Sequence, residues 1–189
     1  MLVFKHEDIR KVGSGNIGGT NVWRVYGRWY GLPVIFVDTA KGFVPALTAT
    51  LVQGHTAGVL AGAAAVIGHW RPIFLGFKRG GKIVATTGGA LLGFAPIVGG
   101  IGAGIWILTF VVFRYASLAS IVAGLSLPVL AVVLGYPWPV IAFASVAAVA
   151  IVVLHRSNIR RLLAGTENRA TLRLRRSTAP AGPSSGRAA

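Results

Sequence analysis

Three clusters of polar residues interrupt an otherwise apolar chain, and each has the chemistry to hold an anion. The first, residues 13–24, reads GSGNIGGTNVWR. Its closely spaced glycines, Gly13, Gly15 and Gly18, expose backbone N–H groups of the kind that form an anion nest, and Ser14, Asn16, Thr20 and Asn21 add hydrogen-bond partners. Arg24 adds a planar fork that grips phosphate through two parallel bonds. The second, residues 76–82, reads GFKRGGK, with Gly80, Gly81 and Lys82 just before a helix start whose partial positive charge favours phosphate. The third runs HRSNIRRLLAGTE from His155 to Glu167, joining a titratable imidazole and Asn158 to a set of arginines.

Several familiar readings of these clusters fail. Gly13, Gly15 and Gly18 spell G-x-G-x-x-G, but the dinucleotide fingerprint needs a preceding strand and a βαβ unit, and its acidic partner would be Asp38, inside an apolar run. GFKRGGK starts like a phosphate loop, yet Ile83 stands where Ser or Thr binds magnesium, which removes nucleotide hydrolysis. With no cysteine, and no histidines at metal-ligand spacing with carboxylates, neither a metal site nor a cofactor is expected. The bland alternatives stay open for several residues. Glycines and asparagines also make turns. Arg71 and Arg79 read as orientation signals, whereas Lys82, between glycine and a helix start, reads as functional. His69 and His155, at the ends of apolar runs, suit either an interfacial polar role or proton transfer. Asp38 and Lys41, three apart on one helix face, suit either an internal lock or a functional pair.

The elements that must position these clusters are membrane helices. Of 189 residues, 54% are hydrophobic and only 12% charged, far below the roughly 25% of soluble domains. A spanning helix needs about 20 apolar residues. The sequence predicts an all-α bundle of about six spans: 31–52, 56–69, two short helices within 83–113 that break near Pro96, 116–134 and 138–154. If these alternate, the connectors 1–30, 70–82, 114–115 and 155–189 share one side and carry every Lys and Arg except Lys41. That side is expected to be cytoplasmic. A membrane domain is expected over residues 1–176 and a disordered tail, rich in Ala, Pro, Ser and Gly, over 177–189. The charge of +15 is then explained by the loops, with the bilayer as partner and no call for nucleic acid.

Taken together, the motifs resemble those of the bacterial acyl-phosphate:glycerol-3-phosphate acyltransferases, over about Asp8 to Glu167. GSGNIGGTNVWR, GHWRPIFLGFKRGGKIVAT and HRSNIRRLLAGTE match in order, with lesser likeness in DTAKG at 38–42 and in RYASLASI, which carries Ser117 and Ser120. The resemblance implies transfer of an acyl group from acyl phosphate to glycerol 3-phosphate, giving lysophosphatidic acid. It also implies one site holding Ser14, Asn16, Thr20, Arg24, His69, Lys82, Ser117, His155, Asn158 and Glu167, with Ser14, Arg24, Lys82 and His155 as its catalytic members. Proton removal falls to His155 or to a substrate phosphate oxygen. Departures from the pattern are Gly19 for alanine, Arg71 for an aromatic, one extra residue around Arg79, and Ile83 where glycine follows the lysine. The family usually has a further span before the first motif, so the reading frame is expected to extend upstream or the chain to be a shortened member. A phosphate-binding transporter and an inactive paralogue are the alternatives to an enzyme.

Overall fold

The computed structural model describes residues 8–78 and 80–170, so Arg79 and the expected tail lie outside the described residues. The described residues form eight α-helices and no strand: α1 (Gly19–Tyr26), α2 (Arg28–Gln53), α3 (His55–Trp70), α4 (Val84–Phe94), α5 (Pro96–Phe113), α6 (Ala116–Val133), α7 (Trp138–Leu154) and α8 (Arg156–Leu163). Six of them, α2 to α7, occupy the six expected apolar segments. Four stretches are long and apolar enough to cross a membrane: α2, residues 55–75 with α3, α5 and α6. The α7–α8 pair, bent by 58° between them, makes a fifth. The sixth, α4, is short, as expected for the first of two helices that break near Pro96: it has 11 residues and rises only about 16 Å.

Two sets of contacts fix the ends of the bundle. At one end the His55 ring Nδ1 donates to the carbonyl of Phe94 at 2.9 Å, and its ring meets that of Tyr136 edge-on. At the other, Ser117 at the start of α6 bonds Glu167 beyond α8, and Lys82 before α4 bonds Asn158 of α8. The helices therefore alternate, and the basic connectors gather at the second end.

Lipid tails supply no hydrophobic drive between helices, so close backbone packing has to hold them. The α2–α4 pair shows it: a methyl added at Gly42 would lie 2.0 Å from the Thr86 carbonyl oxygen, and one at Gly89 would lie 2.0 Å from that of Thr39. Helix α4 is the most enclosed, and Phe94 at its end meets Phe143 of α7 edge-on at 5.1 Å. Pro96 at the first turn of α5 starts the return helix without losing an intrahelical bond. Helix α1 folds back along α2, since methyls at Gly19 and Gly31 would each come within 2.4 Å of the other helix. That antiparallel register carries the 13–18 loop down to about the level of Asp38.

Candidate active site

The loop of the first cluster is folded around one side chain. Asn21, 1% exposed, accepts from the Ser14 N–H at 2.8 Å and donates to the carbonyls of Val12 at 3.1 Å and Asn16 at 2.9 Å. Its amide is used by the loop itself, so Asn21 is a scaffold residue rather than the phosphate contact expected from the sequence. Gly13 must be glycine, because its φ is +61° and a methyl would lie 2.4 Å from Asn21 Oδ1. Gly15 also takes positive φ, and Gly18 caps α1. Ser14 and Thr20 remain exposed, and Asn16 is half-buried.

The second cluster differs from the nest read in the sequence. The Gly80 N–H donates to the Trp70 carbonyl at 2.8 Å and the Gly81 N–H to that of His69 at 3.2 Å, so both are spent on the end of α3. These glycines are required for close approach: a methyl on Gly81 would lie 1.9 Å from His69 Nε2. His69 in turn stands 3.5 Å through Nδ1 from Asp38 Oδ1, which also binds Lys41 Nζ at 3.0 Å. The Asp38–Lys41 pair is thus part of a lock that supports the loop, and His69 is placed behind Gly81 rather than beside Lys82. Ile83 holds φ of +63° while 3% exposed, a conformation that β-branched side chains rarely adopt.

The third cluster assembles around a carboxylate. Glu167 Oε1 accepts from Ser117 Oγ at 2.8 Å and Asn158 Nδ2 at 2.7 Å, and Oε2 accepts from Arg161 Nε at 2.7 Å. The Lys82 ammonium donates to the Asn158 carbonyl oxygen, closing a chain from Lys82 to Ser117. Burial pushes the Glu167 carboxyl up, but the bonds from Asn158, Ser117 and Arg161 outweigh it and hold the pKa below the ordinary value, so Glu167 stays ionised. Partial desolvation draws Arg24 below the usual arginine range, against the pull of Glu167 and with the repulsion of Arg161, which places its guanidinium in the same field. Arg114 clamps the segment: its Nε donates to the Ala170 carbonyl at 3.0 Å, and the Ala170 N–H donates back to its own carbonyl at 2.8 Å.

His155 sits at the bend between α7 and α8. Its Nδ1 lies 2.8 Å from the Ile151 carbonyl, which can only accept, so Nδ1 carries the proton and Nε2 keeps a lone pair. Burial, with the Lys82 charge second, lowers its pKa to about 4, leaving a neutral imidazole near pH 7. Lys82, Asn158, Glu167 and Ser117 are therefore joined by hydrogen bonds, with Arg24 and His155 within reach of their charges, whereas Gly80 and Gly81 pack on the end of α3 and Asn21 holds the first loop. Arg161 was not singled out from the sequence. Its signal was its place in the same motif, six residues before the carboxylate it binds.

A helical bundle with cations and an imidazole gathered at one end of its apolar helices is an integral membrane protein with a basic end. The family model described as glycerol-3-phosphate acyltransferase matches residues 1–165. A relative of that name from Aquifex aeolicus is 46% identical over 167 residues, 87% of this chain and 86% of the relative, and one from Sinorhizobium fredii is 42% identical over 162 residues, 86% and 78%. The solved structure of PlsY, an integral membrane glycerol 3-phosphate acyltransferase, in its glycerol 3-phosphate form superposes with a TM-score of 0.84 at 44% identity, covering 88% of this chain and 84% of that one. The lysophosphatidic acid form gives 0.79 at 43%, covering 84% and 82%. The chain belongs to the glycerol-3-phosphate acyltransferase family. It is an acyltransferase.

Proposed function

We propose that the chain transfers the acyl group of an acyl phosphate to the 1-hydroxyl of glycerol 3-phosphate, releasing inorganic phosphate and lysophosphatidic acid. The observation that carries this is the Lys82 ammonium bonded to Asn158 at the start of α8, three residues from His155, whose Nδ1 is used by the Ile151 carbonyl and whose Nε2 keeps its lone pair. An acyl phosphate is already activated, so positioning and charge stabilisation suffice without a covalent enzyme nucleophile. Arg24 and Lys82 hold the phosphates, aided by Ser14 and Thr20 on the first loop. His155 Nε2 accepts the 1-hydroxyl proton as that oxygen attacks the acyl carbonyl. The tetrahedral oxyanion collapses, the bond from carbonyl carbon to phosphate oxygen breaks, and the phosphate departs with the electron pair. Ser117, Asn158 and Glu167 keep Lys82 in place. The basic end faces the cytoplasm of a bacterial inner membrane, as the distribution of Lys and Arg supports.

The test is purified protein in lipid nanodiscs with glycerol 3-phosphate and either acyl phosphate or acyl-CoA, scored for lysophosphatidic acid. Product is expected from acyl phosphate alone. Equal rates from the two donors, or none from acyl phosphate, would overturn the donor assignment. If a substrate phosphate oxygen takes the proton instead, His155→Asn will retain turnover within a few-fold.

A further inference from the structure

The connector between α3 and Lys82 carries an apolar surface that the catalytic reading does not use. Ile73, Phe74 and Phe77 are all strongly exposed, Phe74 at 99%. Their position along the bundle decides what covers them. The His55 contact with Phe94 sets one end, and α3 rises from there for 16 residues, about 24 Å, against a hydrocarbon core of about 30 Å. Its neighbour α2 has 26 residues and rises about 39 Å, so it continues well past the point where α3 stops. The contact between His69 and Asp38 ties the end of α3 to the tenth residue after Arg28, about 15 Å short of the start of α2. The 71–78 connector therefore lies at the height of the first turns of α2, where Leu32, Phe36 and Val37 are also exposed and apolar.

Irregular backbone at that depth is tolerated only when its polar groups are satisfied internally. The connector meets this condition for most of its N–H groups, and the two left without a backbone partner among the described residues, those of Ile73 and Phe74, start the turn where headgroups and water can reach them. The N–H groups of Leu75 and Phe77 donate to the Pro72 carbonyl, Gly76 to Ile73, and Lys78 to Leu75, while Arg71, Gly80 and Gly81 donate to α3 carbonyls. The Arg71 guanidinium stacks 4.7 Å from the Trp70 ring and donates to the Phe77 carbonyl at 3.2 Å. A turn that bonds its own backbone, turns its apolar side chains outward and is flanked by Arg71 and Lys78 has the pattern of an interfacial element on an anionic leaflet.

We infer that residues 73–77 insert into the boundary between headgroups and acyl chains of the anionic leaflet at the basic end, completing the apolar height that α3 lacks, with Arg71 and Lys78 at the phosphates. A consequence is that an anionic amphiphile dissolved in that leaflet reaches the segment leading to Lys82 without crossing water.

The absence of cysteine allows single labels. Nitroxides placed by Phe74→Cys, Ile73→Cys and Phe77→Cys are compared in nanodiscs of phosphatidylethanolamine and phosphatidylglycerol with references at exposed Val149 on α7 and exposed Ala164 after α8. The readout is collision with oxygen against collision with a nickel chelate. Labels at 73, 74 and 77 are expected on the lipid side of the scale, about 5–10 Å below the phosphates, and one from Lys78→Cys shallower than all three. Nickel accessibility at 74 and 77 equal to that at 164 would overturn the inference, and would do so whatever reaction the protein catalyses.

Discussion

Gly81→Ala tests the idea that the glycines before Lys82 serve close packing rather than phosphate contact. The added methyl would lie 1.9 Å from His69 Nε2 and 2.6 Å from Cε1, where ordinary contact needs about 3.5 Å, so roughly 1.5 Å must be found. The imidazole cannot retreat freely, because it is enclosed and its Nδ1 faces Asp38. The chain must then move, loosening the bond from the Gly81 N–H to His69 and displacing Lys82. Overpacking of this kind costs about 1–3 kcal/mol of stability, and misplacing a catalytic group by about 1 Å costs on the order of 100-fold in rate. Initial rates of lysophosphatidic acid formation in nanodiscs are expected to fall 30- to 100-fold, by about the amounts just given, with a lowered thermal midpoint. Gly100→Ala, where nothing lies within 4 Å, should leave both unchanged. Combining Gly81→Ala with His69→Ala makes room for the methyl and should recover activity relative to Gly81→Ala alone. Wild-type kinetics in the single variant, or no recovery in the double, would refute the packing argument.

Arg24→Lys keeps the charge but loses the two-pronged grip, and losing a charged hydrogen bond of about 1.5–3 kcal/mol predicts roughly 10- to 100-fold slower turnover; unchanged kinetics would remove Arg24 from the site. Glu167→Gln presents an amide to donors from Ser117, Asn158 and Arg161, and is expected to lower the thermal midpoint and to weaken glycerol 3-phosphate binding in titration calorimetry as Asn158 releases Lys82. The pKa of His155 is lowered to about 4, so the unfolded chain binds the extra proton first; stability from this group is complete above pH 6.5 and falls as pH drops toward 4, by at most about 3 kcal/mol, a loss that His155→Asn should abolish in unfolding measured against pH. Ile83→Gly relieves a left-handed conformation costing about 1–2 kcal/mol but exposes the space of a buried side chain worth about 1.5–3 kcal/mol, so denaturant titration should show a small net loss, and a loss above about 4 kcal/mol would contradict the strain.

Much of the scaffold was legible because lipid imposes it. Segment length, the break at Pro96 and the one-sided cations follow from the need to satisfy backbone in hydrocarbon and from loop charge, and the helices α2 to α7 fall where those signals place them. The convergence of Ser117, His155, Asn158 and Glu167 followed from the resemblance, since nothing in their spacing announces a shared carboxylate. What stayed hidden depends on helix register. Gly42, Gly89 and Gly93 set how α4 packs along α2, and Gly58 sets how α3 packs along it; the first register helps bring Gly81 against His69 and the second brings His69 against Asp38. The left-handed turn at Ile83 was likewise masked, because Lys82 and Ile83 read as the start of an apolar helix. Glycine also has two meanings that sequence does not separate, an exposed N–H or a missing side chain. At Gly80 and Gly81 the second applies.

The unequal heights of the helices bear on how one site serves two substrates of opposite solubility. Helix α2 overreaches α3 by about 15 Å at the basic end, and α1 turns back along that overhang. Lys82 is joined to Asn158 of α8, and through it to Glu167, at the basic end, and Arg24 stands on α1. On the proposed reaction, the glycerol 3-phosphate would meet Arg24 before Lys82, and the acyl phosphate would come from the leaflet past the 73–77 turn. Such a geometry demands cations at two depths and a base between solvent and lipid that stays neutral. Burial of His155 at the α7–α8 bend supplies that neutrality, and the carboxylate of Glu167, tied to three donors, keeps the surrounding positive charge from driving the cations apart.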